Sequence, residues 1–87
     1  MMNKQEAALF RSGTRAGAVQ DAFQFASNCK GNLDQIQAEI NDRRERLSKS
    51  SRPEHQPGAS PRIYLDTYIA ELERVVAELK AEAVMTA

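Results

Sequence analysis

Residues 60–87 read SPRIYLDTYIAELERVVAELKAEAVMTA, and this stretch decides the fold. Leu65, Tyr68, Leu72, Val75 and Leu79 recur at alternating steps of three and four, which puts them along one edge of an α-helix. Ile69, Val76 and Ala83 flank that row, and charged residues fill most remaining positions. A helix with one apolar edge is not stable alone in water and must pack against another. The spacing predicts a C-terminal amphipathic helix over 62–85 whose row (Leu65, Tyr68, Ile69, Leu72, Val75, Val76, Leu79) serves as core, as a homodimer seam, or as a landing surface for another protein.

Immediately before it, SKSSRPEHQPGASP (48–61) holds three prolines and no large apolar residue, which reads as a flexible linker. Ser60-Pro61 at its end looks like a cap and first-turn proline for the last helix.

Upstream, residues 1–47 read as an N-terminal helical region, with helices over about 3–12, 14–29 and 32–47. Asn3 and Glu6 resemble a helix start, and Gly13 either ends that first helix or is carried within it. Over 14–29, Ala16, Val19, Ala22, Phe23, Ala26 and Cys29 share one side, and Ala18 and Phe25 widen it. An apolar arc that broad implies more than one neighbour. Ala18, Ala22 and Ala26 form a small-residue row that permits close helix approach. Lys30-Gly31 is a helix stop, and Asn32 with Gln35 is the next start. In 32–47 the stripe Leu33, Ile36, Ile40 and Leu47 is narrow, with Arg44 where a leucine would be expected. Such a stripe suits a coiled-coil-like seam. The expected fold is all-α: one domain, a small bundle of three to four helices.

The chain has 87 residues, 41% of them hydrophobic, so one small core is possible. Phe10, Phe23 and Phe25 are its largest candidate pieces. A chain this short often gains stability by self-association. Twelve basic residues balance twelve acidic ones, which argues against bulk nucleic acid or an anionic membrane as the main partner. The balance is global but not local. Arg43, Arg44, Arg46, Lys49, Arg52 and Arg62 outnumber Glu45 and Glu54, whereas Asp66, Glu71, Glu73, Glu78 and Glu82 outnumber Arg74 and Lys80. No basic segment followed by an apolar run opens the chain, and no run is long enough to span a membrane, so a cytoplasmic protein is expected.

Catalytic patterns are missing. Cys29 is the single cysteine and His55 the single histidine. Cys29 lies near a helix C-terminus, where the dipole disfavours a thiolate, and His55 lies in the linker, where it reads as solvated. Gly13-Thr14-Arg15-Ala16-Gly17 lacks the lysine and the preceding strand of a phosphate loop. Glu71, Glu78 and Glu82 read as a solvated helix face. The expectation is a non-enzyme without cofactor or metal.

The basic cluster Arg43, Arg44, Arg46, Lys49 and Arg52 is the one constellation that suggests chemistry: contact with nucleic-acid phosphates or an acidic protein patch. The alternative is a helix end complementing its own dipole and the acidic last helix. The helices after Gly13 and Gly31 offer poor tips for a DNA-reading helix-turn-helix. Short, helical and without catalytic groups, the chain resembles in general character the accessory proteins of phages and mobile elements. The functional expectation is a protein–protein interaction module, homodimeric, acting as inhibitor or adaptor on a larger protein. A small nucleic-acid-binding regulator using residues 43–52 is the alternative.

Overall fold

The computed structural model describes the backbone over residues 4–86 and side chains over 13–84. The described residues form three α-helices, α1 (Lys4–Asn28), α2 (Leu33–Lys49) and α3 (Ser60–Thr86), with a 3-10 turn at Pro53–His55. No strand occurs among the described residues, as an all-α fold requires. The expected cap at Asn3 and the core role of Phe10 lie outside the described residues.

The expected division into helices 3–12 and 14–29 is corrected: α1 runs unbroken through Gly13. Gly13 does not have positive φ, so it makes no left-handed stop. Its cost within a helix, about 1 kcal/mol, is too small to end one. The true stop comes at Lys30-Gly31. Lys30 N–H donates to the Ser27 carbonyl (3.0 Å) and Gly31 N–H to the Ala26 carbonyl (3.1 Å). That pair of bonds defines a Schellman turn. Its left-handed residue is Lys30 (φ 54°), and Gly31 follows with φ 70°. Asn32 then caps α2, its side chain accepting from Gln35 N–H at 3.1 Å.

The connection between α2 and α3 is shorter than the expected 48–61, because α2 continues to Lys49 and α3 begins at Ser60. Its chain is tied at several points. Ser50 Oγ and His55 Nδ1 share a hydrogen bond of 2.6 Å. Arg62 donates from Nη1 to the His55 carbonyl at 2.7 Å. At the start of α3, Ile63 N–H donates to the Ala59 carbonyl (2.9 Å), so Ala59 holds the cap position expected of Ser60. Ser60-Pro61 opens the first turn, where a proline lacks no needed donor.

Both other helices pack on α3. Tyr64 Oη donates to Asp21, and Gly31 lies beside Leu79, so α1 and α3 run parallel. Leu47 lies beside Ile69 and Gln37 beside Lys80, so α3 recedes as α2 advances and the two run antiparallel. Because Tyr64 is level with Asp21, the first turns of α1 precede α3 and the last turns of α3 outrun α1. This stagger gives a longest dimension of 54 Å, against about 40 Å for a helix the length of α3.

Ala18, Ala22 and Ala26 line the α1 side of the core, facing Ile36 and Ile40 of α2 and Tyr68, Ile69, Leu72 and Val76 of α3. The alanine row does what its spacing implied, bringing α1 close to α3. The phenylalanines do not fill the core as expected. Phe25 packs at its edge, and Phe23 is 48% exposed with the Arg74 guanidinium 5.6 Å above its ring. A helix interface narrow enough for alanines leaves no room for a phenyl ring on the same line. Arg44, the odd member of the α2 stripe, lies at the margin of the α2–α3 seam and pairs with Glu73.

Candidate anion-binding groove

The apolar row of α3 is taken up inside the chain. Tyr68, Ile69, Leu72 and Val76 are buried, and Val75 and Leu79 are partly buried against them. Leu65 is half-exposed and borders a groove between the end of α2 and the start of α3. The expected interaction surface on this row is therefore not an open face: most of it is the monomer's own core.

The basic cluster behaves differently. Arg43, Arg46, Lys49 and Arg52 line one open groove of about 490 Å³, together with Leu47, Ser50, His55 and Leu65. Arg44 is excluded, since it faces Glu73 on the far side of α2. The reason is helical spacing. Arg43 and Arg46 are three apart, and Lys49 follows three later, so they rise along one face of α2. Arg44 is one step round the helix from Arg43. Arg52 enters from the extended chain that follows Ser50.

Each groove cation already has a carboxylate nearby. Arg43 bonds Glu39 through Nε (3.3 Å) and Arg46 meets Asp42 through Nε (3.2 Å). Lys49 bonds Glu45 (2.6 Å), and Arg52 reaches Glu54 at 4.0 Å. Acid-first pairs four apart stabilise a helix by a few tenths of a kcal/mol. They also reduce the field that the cluster projects into solvent. The cations are thus held in place but not consumed, because a guanidinium has five donors and one carboxylate contact leaves others free.

His55 is not the solvated side chain the sequence suggested. It is half-buried at the groove wall, its ring bonded to Ser50 and its carbonyl to Arg62. Ser50 Oγ additionally accepts from Arg52 N–H at 3.3 Å. Cys29 is half-buried and packs against the core. The part played by Leu47, Ser50, His55 and Leu65 in the groove was not apparent from the sequence. The available signal was the position of Ser50 and His55 directly after the basic run, but only the returning chain brings them to it.

A second hollow of about 360 Å³ adjoins the first, sharing Arg43 and Leu65 and adding Asp21, Glu39, Tyr64 and Tyr68. The two tyrosine rings stack at 6.1 Å between centroids, and Arg43 lies 6.0 Å over the Tyr68 ring. Burial, then the hydrogen bond to Asp21, pushes the Tyr64 hydroxyl up to about 12. Tyr68 is also raised, by burial and by its bond to Glu39 (2.9 Å). Arg74 is raised by its hydrogen bond to Glu71, with Glu78 adding to it.

Among the described residues no group of three or more His, Cys, Asp or Glu side chains is placed to hold a metal ion. No described helix is long and apolar enough to cross a membrane. No protein-family model, curated protein or solved structure matches this chain.

Proposed function

We propose that this chain is a non-enzymatic interaction module that docks on a larger protein as an adaptor or inhibitor, taking an acidic segment of that protein into the groove at the end of α2. The observation that carries this reading is the gathering of Arg43, Arg46, Lys49 and Arg52 around a floor that includes Leu47 and Leu65. Cations above apolar side chains suit a segment that presents both carboxylates and aliphatic groups. Self-association on the row does not enter the reading, because Tyr68, Ile69, Leu72 and Val76 are buried in the chain's own core.

Nucleic-acid binding is the second reading, favoured by the same four cations. Two features weigh against it. The chain has no net charge, and each groove cation has its own carboxylate. Long-range attraction to a polyanion is correspondingly weak.

The test compares the wild-type chain with a variant carrying Arg43→Gln, Arg46→Gln, Lys49→Gln and Arg52→Gln, both used as bait in native lysate. A protein retained by the wild type, lost from the variant and released by moderate salt supports the first reading. Nuclease-sensitive retention with a steep salt dependence supports the second. Equal retention of every partner by both baits rules out the groove in either role.

A further inference from the structure

We infer that the groove is built to select a phosphorylated serine or threonine on the partner segment over a plain carboxylate. The inference rests on the docking reading above and names what that site prefers.

It begins from the existing ion pairs. Arg43, Arg46, Lys49 and Arg52 each stand beside one intrachain carboxylate, at 3.3, 3.2, 2.6 and 4.0 Å. An incoming Asp or Glu, with one charge and two oxygens, reaches the open donors of one cation or two at most. Glu39, Asp42, Glu45 and Glu54 oppose any anion, so the number of cations engaged together decides which one binds. A nucleic-acid phosphodiester carries the same single charge and meets the same balance.

A phosphomonoester differs in two respects. It carries about −1.5 to −2 charge at neutral pH, and it has three strong acceptor oxygens, so it engages several cations together. The groove offers such a set. Arg43 and Arg46 contact their intrachain acids through Nε, which leaves Nη donors of each guanidinium for another oxygen. Lys49 follows on the next turn of the same α2 face, and Arg52 comes from the connection just after α2. The 2.6 Å bond between Ser50 and His55 fixes the imidazole at the rim, and Arg62 holds the backbone of that wall through the His55 carbonyl. The space of about 490 Å³ admits a phosphoserine side chain with a flanking apolar residue against Leu47 and Leu65.

The experiment titrates the full chain with three peptides that differ at one position flanked by leucines: serine, glutamate or phosphoserine. A single-stranded oligonucleotide is the fourth ligand. Calorimetry gives affinities, and NMR follows the His55 ring and the arginine Nε–H signals. The phosphoserine peptide should bind at least about tenfold more tightly than the glutamate peptide, as expected from the additional charge-assisted hydrogen bonds. The Arg43→Gln, Arg46→Gln double variant should erase that difference. Should it fail to fold, Lys49→Gln with Arg52→Gln tests the same point at exposed side chains. Equal, measurable binding of glutamate and phosphoserine peptides overturns the phosphate preference and leaves acidic-segment docking intact. Tighter binding of the oligonucleotide, or no binding of any peptide, also overturns it, and the lysate comparison then judges the docking reading separately.

Discussion

Lys30 occupies a backbone conformation that seldom suits a residue with a Cβ. At φ 54° it forms the left-handed step of the turn that closes α1, a place usually held by glycine. A left-handed L-residue costs about 1–2 kcal/mol, while glycine loses somewhat more unfolded-state entropy on folding. Lys30→Gly should therefore raise stability by about 0.5–1 kcal/mol, read as a higher urea midpoint with an unchanged slope. A lower midpoint would show that the lysine stabilises the turn by other means. The tyrosines give a second test at this scale. Tyr64 and Tyr68 hold their protons more tightly in the folded chain than the usual value near ~10. Between that value and about 12, the unfolded chain loses tyrosine protons that the folded chain keeps. The unfolded state then binds fewer protons, so stability falls as pH rises. Their contribution is complete below pH ~10 and is lost toward the folded-state values. Denaturation followed from pH 9 to 12 should show this decline, with a shallower slope in Tyr64→Phe.

Among the elements, α1 depends most on its side-chain sizes. Ala18 and Ala22 are fully buried, and Ala26 is nearly so. The Ala22 methyl leaves no space for a longer side chain without separating α1 from α3. Ala22→Leu should cost about 1–3 kcal/mol by overpacking, despite leucine's good helix propensity. Ala16→Leu, on an exposed position of the same helix, should leave the melting temperature nearly unchanged. If both substitutions are equally harmless in thermal denaturation, the close α1–α3 approach is wrong. The cap of α2 is governed locally, by contrast: Asn32 and Gln35 are three residues apart, and their bond was legible from that spacing.

For the whole molecule the stagger of parallel helices is the governing feature. The Cα radius of gyration is 15.0 Å, whereas a compact chain of this length has about 12 Å. Solution scattering should return the larger value for the monomer. Agreement with the compact value would mean that α1 folds back along the bundle. The groove also belongs to this scale, since its walls come from α2, the connection and α3. Its cations are spaced by the α2 helix, but its depth and its floor are set by how the chain returns.

The all-α character, the alanine row, the Lys30-Gly31 stop and the amphipathic edge of α3 were all determined by sequence, because each rests on bonds or spacings within a few residues. Gly13 was ambiguous at that level, since its small local penalty is outweighed by the helix that continues on both sides. Tertiary structure alone decided what covers what. It turned Tyr68 to Leu79 of the apolar row inward, left Phe23 half-exposed beneath Arg74, and separated Arg44 from the other four cations. It also brought His55 from the connection to the groove wall. Those outcomes depend on the direction and register in which helices meet, and neither periodicity nor composition carries that information.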